Sequence, residues 1–186
     1  MEEKKTDNME IWEKVCKTLP RHAKEFEKGG FKVTSVNPMF NAEKATELFG
    51  PAGTGWGVES LQTRETRLDE DTLIVSEEVQ LWYVWDGERR QVSHWASEFM
   101  AQKVKKNSPD GGYVKYDDEA WKKCRTNATS KCLSLLGFSA DLWMGYYKNQ
   151  AYKADREKEQ SQQDYAKILK ANYKKAIEIL NTFCLC

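Results

Sequence analysis

Apolar and polar residues alternate most regularly along Thr72–Trp85. One face of this segment carries six apolar side chains and is interrupted by Glu77: Leu73, Val75, Val79, Leu81, Tyr83 and Trp85. Because side chains of a strand alternate between two faces, this pattern predicts a half-buried β-strand. Asp86-Gly87 then signals a tight hairpin turn into a second strand over residues 89–100. An acidic turn at residues 69–71 connects back to an earlier strand at about 58–67, so the middle of the chain predicts an antiparallel sheet.

Two helical segments are predicted before the strands. Residues 11–18 predict a short helix that ends before Pro20, and residues 21–32 predict a polar loop containing two adjacent glycines. Asn41 suits the N-cap of a second helix, which Gly50-Pro51 closes.

A longer helix is predicted after the strands. A loop at residues 107–112 precedes it, Asp117 or Asp118 begins it, and Gly137 stops it before a short apolar tail. At 100° per residue, five side chains form the expected buried stripe: Trp121, Cys124, Ala128, Cys132 and Leu135. The opposite face carries donor groups, with Lys131 on its flank: Lys123, Asn127, Ser130 and Ser134.

The C-terminal segment predicts a separate amphipathic helix. After Tyr152, apolar residues recur at helical spacing: Tyr165, Ile168/Leu169, Tyr173, Ala176/Ile177 and Leu180. We expect this helix to pack on the core or on a neighbouring molecule. The chain is therefore divided into a flexible start at residues 1–10, a core at 11–150 and a helical segment at 151–186. Its fold class is α+β, with a β-β-β-α core in which an antiparallel sheet packs on the long helix.

Composition limits the function classes. Of the 186 residues, 40% are apolar and 31% charged, which is typical of a globular protein. No apolar run reaches the roughly 20 residues of a membrane helix, and the first residues contain no apolar signal core, so we expect no membrane association and a cytoplasmic location. The five cysteines form no C-x-x-C pair, which favours reduced thiols.

The zero net charge hides an uneven distribution. Residues 14–44 carry seven lysines and arginines against three acids, and residues 103–131 carry eight against four. Residues 59–88 carry only two against nine. Two basic stretches thus flank an acidic, strand-rich middle. If they meet in the fold they form a positive groove; otherwise they are ordinary solvated surface.

Signals for catalysis are weak. The glycine-rich run at residues 50–57 lacks the G-K-[ST] ending of a phosphate-binding loop and leads into a strand. Two histidines, His22 and His94, are too few for a usual His-based zinc site, and Cys124 and Cys132 fit a core stripe better than a ligand pair. We therefore expect no enzyme, no metal and no cofactor. A nuclease or deaminase would need a metal-binding group that the sequence does not display.

Three short motifs resemble a known family. They are W-E-K-V-C-K-T-x-P at residues 12–20, A-T-E-L-F-G-P-x-G-x-G-W-G at 45–57 and L-G-F-S-A-D-x-x-M-G at 136–145. In this order they resemble the single-strand annealing proteins of phages, whose superfamily includes the eukaryotic Rad-fifty-two, over about residues 11–150. The resemblance implies a homo-oligomeric ring or filament in the bacterial host cytoplasm that anneals complementary single-stranded DNA without ATP. It also implies an exonuclease and a single-strand-binding protein as partners.

The resemblance also implies a DNA-binding site. Its helix positions match Ser130, Lys131 and Ser134, of which only Lys131 is basic here, and Lys123 offers a second charge beside Asn127. A basic residue before the glycine pair corresponds to Lys24 or Lys28, in a basic loop that extends to Lys32. A second, outer site falls near Lys103 and Lys105.

A protein-interaction module is the alternative. In this hypothesis the sheet and the C-terminal helix recognise another recombination or defence protein, and DNA binding has been lost. The zero net charge and the serines at positions 130 and 134 favour it.

Overall fold

The computed structural model describes residues 8–28, 30–104 and 112–183. Its elements in chain order are α1 (Glu10–Val15), β1 (Ala23–Lys28), β2 (Phe31–Val36), α2 (Pro38–Phe49), β3 (Trp56–Asp69), β4 (Thr72–Trp85), β5 (Glu88–Val104), β6 (Tyr113–Tyr116), α3 (Ala120–Leu135), α4 (Ala140–Trp143) and α5 (Gln150–Phe183). The described chain forms two compact units: residues 8–16 with Asn37–Ala140, and Lys17–Val36 with residues 141–183. The predicted α+β class is confirmed, with antiparallel sheets and helices at both ends.

The first unit contains a four-stranded antiparallel sheet in the order β3-β4-β5-β6. Its centre matches the prediction, since β4 has the predicted bounds and both its turns lie where expected. Asp86 and Gly87 have φ of 52° and 77°, the left-handed conformation that a two-residue hairpin turn requires. The strand β6 was not predicted; it pairs with only the last four residues of β5. Part of the predicted loop at 107–112 lies outside the described residues.

The helix α3 packs against β4 and β5 to form the core of this unit. Its buried stripe contains Cys124, Ala128 and Cys132, as predicted, and faces Val75, Val79 and Leu81 of β4 (all 0% exposed). Each thiol donates to backbone carbonyls of the sheet, most closely from Cys124 Sγ to Ala96 O at 3.0 Å. Burial raises the pKa of both thiols. These cysteines therefore behave as small core residues.

The last turn of α3 departs from the predicted stripe. Leu135 is 56% exposed and lines an open cavity beside α1, whereas Leu133 is 3% exposed. The helical wheel predicted Leu135 to be buried because it extends a single stripe along the helix, as if the sheet were the only surface that packs against it. Leu133 is buried because α1 and α2 contribute Val15, Ala45 and Phe49 to the same apolar cluster.

The chain turns tightly at Gly137, immediately after α3. Its φ of 97° is left-handed, and a β-carbon there would lie 2.7 Å from the ring of Trp12. Glycine thus permits both the turn and the approach of α1. The predicted stop of the helix at this residue is confirmed.

The start of α2 corrects the predicted cap. Asn37, not Asn41, is the N-cap: its side chain accepts a hydrogen bond from Met39 N at 3.1 Å, and Pro38 occupies the first helical position. Asn41 instead lies inside the helix, 1% exposed, and accepts a hydrogen bond from Ser139 Oγ at 2.8 Å. The first helix also ends earlier than predicted, at Val15.

The second unit begins with a β-hairpin where a polar loop was predicted. Strands β1 and β2 pair antiparallel from Ala23 opposite Val36 to Lys28 opposite Phe31. In the connection between the two strands, Gly30 has a left-handed φ of 81°, which glycine adopts without strain. A buried carboxylate supports this unit: Asp141, 3% exposed, accepts hydrogen bonds from Thr18 N, Thr18 Oγ1 and Tyr152 OH at 2.7–2.8 Å.

The C-terminal helix α5 extends over 34 residues. Its predicted amphipathic character is confirmed, but its apolar stripe lies on the surface. Seven side chains between 165 and 180 are more than 40% exposed: Tyr165, Ile168, Leu169, Tyr173, Ile177, Ile179 and Leu180. Among the described residues no helix is long and apolar enough to cross a membrane.

Candidate nucleic-acid interface

The outer face of α3 carries the donor row that the sequence predicted. Lys123, Asn127 and Lys131 are exposed, and Ser130 and Ser134 are half-buried. The buried stripe of the same helix holds the opposite face on the sheet, so the row points away from the core. At 1.5 Å per residue, it extends for about 16 Å along the helix.

Acidic neighbours border the first half of this row. Lys123 Nζ donates to Asp117 Oδ2 at 2.6 Å, just before the helix, and Asn127 Nδ2 donates to Glu98 Oε1 of β5 at 2.5 Å. The hydrogen bond lowers the pKa of Asp117 and raises that of Lys123. Both groups are ionised at neutral pH, so part of the positive charge expected here is compensated within the protein.

The second half of the row has a different character. Lys131 is exposed, and the hydroxyl of Ser134 donates to the Lys131 carbonyl at 2.8 Å. The hydroxyl hydrogen of Ser134 is therefore taken up by a carbonyl of its own helix, and only the lone pairs of its oxygen face outward. This end of the row contributes the ammonium group of Lys131 and the half-buried hydroxyl of Ser130.

The predicted outer site is only partly described. Lys103, on β5, is exposed and donates to Asp71 Oδ2 at 2.9 Å, in the turn between β3 and β4. This contact raises the pKa of Lys103. Lys105 lies outside the described residues.

In the second unit, the hairpin separates the lysines that were grouped as one basic loop. Lys24 pairs with Ser35, whereas Lys32 pairs with Glu27. Because faces alternate along a strand, Lys24 lies on one face of the hairpin and Lys32 on the other. Lys28 ends β1, and its side chain lies outside the described part. Of the two hairpin lysines whose side chains are described, Lys32 lines a concave surface and Lys24 does not.

That surface is a cavity of about 530 Å³ within the second unit. Lys32 lines it together with Lys148, Lys153 and Glu25. The apolar part of the lining includes Trp143, which is 55% exposed. Lys153 donates a hydrogen bond to Glu25, and this contact, with the charge of Lys32, lowers the pKa of the Glu25 carboxyl.

Sequence reasoning missed three members of this cavity: Trp143, Lys148 and Lys153. Trp143 occupies a variable position of the third motif, and both lysines lie just after it. The signal that could have identified them is the cluster of aromatic and basic residues at 143–153, which contains two lysines, one tryptophan and three tyrosines.

Among the described residues, no group of three or more His, Cys, Asp or Glu side chains could hold a metal ion. The free cysteines with described positions are Cys16, Cys124 and Cys132.

The resemblance motifs cover helix and strand ends with the turns beside them, and two of the three extend from residues of the first unit into residues of the second. The glycine-rich motif at 45–57 runs from α2 into β3, and the motif at 136–145 follows α3 through α4. Whether the hairpin lysines act together with the α3 row stays a prediction. No family model matches the chain, and no curated protein matches it either.

Proposed function

We propose that this protein binds single-stranded DNA and anneals complementary strands without ATP, as a homo-oligomer. The observation that carries the proposal is the outer face of α3, where ammonium, amide and hydroxyl groups follow one another opposite the buried stripe. Such groups contact successive phosphates and carry no base-specific information, which suits a protein that must accept any sequence. Neutralised phosphates lower the repulsion between two strands, so annealing needs no nucleotide hydrolysis.

The bordering carboxylates are compatible with this role. The side chains of Lys123 and Asp117 are 46% and 26% exposed, and ion pairs at the surface add little to stability. A phosphate can therefore replace Asp117 as the partner of Lys123. Each such contact exchanges one anion for another, so we expect a modest affinity per subunit.

The sheet of the first unit supports assembly. In the described part of the chain, β3 has a strand on only one side, and β6 covers only the last four residues of β5. The sheet therefore has two strand edges that no other described strand covers. One is the outer edge of β3, and the other is residues 88–100 of β5 at the opposite side of the sheet. Two different edges that pair between copies make a head-to-tail contact, which generates a ring or a filament.

The test measures annealing of complementary oligonucleotides without ATP. The variant Lys123→Ala/Lys131→Ala should weaken strand binding and slow annealing. Its matched control is Lys14→Ala/Lys44→Ala, which removes two lysines that also pair with surface glutamates in the same unit. If the first double variant behaved like the control, the α3 site would be wrong. If the wild-type protein neither bound single strands nor accelerated annealing, the function itself would be wrong.

A protein-interaction module is the second candidate. The observation that favours it is the exposed apolar stripe of α5, which is unusual for a surface without a partner. Salt separates the two functions, since DNA binding weakens steeply as salt rises whereas an apolar protein contact changes little.

A further inference from the structure

The cavity of the second unit offers more than a phosphate contact. We infer that it takes one nucleotide unit of the bound strand, with the base against Trp143 and the phosphate held by Lys32 and Lys148. This inference rests on the proposed function and deepens it, because it adds a base-holding position to a protein otherwise expected to contact the backbone.

The charge of the lining favours an anionic ligand. Three lysines face a single carboxylate, that of Glu25, which is occupied by Lys153. Lys32 also lies near Glu25 and opposite Glu27 of β1, and together with Lys148 it leaves the lining with more positive than negative groups. A lysine ammonium is a compact charge with three donors, suited to phosphate oxygens without demanding one geometry.

The apolar part of the lining suits a flat or hydrophobic group beside that anion. Trp143 is 55% exposed and lies next to Leu142 in the cavity lining, with Val33 contributed by the hairpin. An exposed indole is a stacking platform for any base, because every base has a π-face. Thr34 and Gln150 add groups that can hydrogen-bond to base edges without selecting one base. A nucleotide combines these needs, and the volume lies within the 300–1,000 Å³ of small-molecule sites.

The floor of the cavity is held in place before any ligand arrives. Tyr147, 4% exposed, donates its hydroxyl hydrogen to the Thr18 carbonyl at 2.5 Å. Thr18 in turn donates to the buried Asp141, which lies just before the lining residues Leu142 and Trp143. A site held by buried hydrogen bonds loses little conformational entropy on binding.

The experiment compares two strands with equal numbers of phosphates, an oligothymidylate and the same backbone without bases. Binding is followed by fluorescence anisotropy in wild type, Trp143→Leu, Trp143→Phe and Lys148→Gln. The control is Lys158→Gln, which makes the same charge change on α5, where Lys158 is 76% exposed and lies outside the cavity lining. Thymidine 5′-monophosphate and inorganic phosphate are titrated separately, with quenching of tryptophan fluorescence as the readout.

Wild type should prefer the base-bearing strand by at least about fivefold, the lower limit expected from one base stacked on an aromatic ring. Trp143→Leu should lose this preference, and Trp143→Phe should restore most of it. Lys148→Gln should weaken both strands beyond the effect of Lys158→Gln. In wild type, thymidine 5′-monophosphate should quench tryptophan fluorescence and inorganic phosphate should not. The quenching by the monophosphate should disappear in Trp143→Leu.

The failures of the two proposals are distinguishable. If wild type binds strands and Trp143→Leu keeps its preference for bases, the cavity assignment is overturned and strand binding stands. If wild type binds no strand but the monophosphate quenches a signal that depends on Trp143, the cavity binds free nucleotides and the annealing function falls. Binding of inorganic phosphate alone would overturn the base position.

Discussion

Replacement of Asp117 by asparagine tests whether the α3 row meets phosphates. Asp117 Oδ2 accepts from Lys123 Nζ at 2.6 Å, while its other oxygen accepts from Glu119 N at 3.1 Å just before α3. Asparagine keeps the second contact, because its amide oxygen can accept the same backbone hydrogen. The change therefore removes one carboxylate from the row and leaves the start of the helix intact.

The expected gain in strand affinity of Asp117→Asn follows from counterion release. If Lys123 gains one full phosphate contact, the slope of log K against log salt should become more negative by about 0.7, the value for one contact on a single strand. The advantage of Asp117→Asn over wild type should then shrink by about 2.6-fold as salt rises from about 50 to about 200 mM. Anisotropy of a labelled oligothymidylate across this range measures both quantities.

A matched control separates the site from net charge. Asp155→Asn makes the same charge change on α5, where Asp155 pairs with Lys158 at 3.8 Å. Equal gains in the two variants would mean that overall charge, not Lys123, governs binding. An unchanged affinity and slope in Asp117→Asn would refute the placement of phosphates along α3.

Four further outcomes are expected. In urea unfolding, Gly137→Ala should destabilise the protein more than Gly87→Ala. Both residues have positive φ, but only at Gly137 does an added β-carbon meet the Trp12 ring, which should cost about 1–3 kcal/mol more. Equal losses of stability would contradict the contact. Asp141→Ala should cost about 3 kcal/mol of unfolding free energy and Tyr147→Phe about 1 kcal/mol, since the first leaves several buried donors unpaired and the second removes one hydrogen bond. Alkylation followed by peptide mass spectrometry should detect labelling of Cys16 before that of Cys124 and Cys132. The raised pKa of the two buried thiols leaves less thiolate at mildly alkaline pH. Equal labelling rates would contradict their burial. Strand binding should be cooperative and strengthen with strand length; equal affinity for short and long strands would exclude assembly along DNA.

The sheet and its helix could be predicted because their signals are local and redundant. Alternation along β4 and the Asp86-Gly87 turn each specify the same pairing, and the stripe of α3 matches that sheet. The β1–β2 hairpin was missed because its strands are only six residues long: β1 has one large apolar residue, Phe26, among its charges, and the alternation in β2 extends only from Phe31 to Thr34. The four residues of β6 are too few to carry a pattern.

The candidate site was harder to predict because its electrostatics depend on contacts between distant segments. A helical wheel places Lys123 and Asn127 on the outer face correctly, but it cannot show that Glu98 of β5 reaches Asn127. The same limit applies to the hairpin. In the observed register of β1 and β2, Lys24 and Lys32 lie on opposite faces, which a loop would not have required.

The compensated charge and the proposed assembly depend on each other. A chain of zero net charge whose row includes a lysine already paired with a carboxylate gains little free energy from each phosphate. One subunit should therefore hold a strand only weakly. When subunits are joined along the unpaired edges of the sheet, each further contact becomes intramolecular and the affinities multiply. Weak single contacts then become useful, because a strand held at many exchangeable points can shift register until it meets its complement, whereas a few strong contacts would fix it in place.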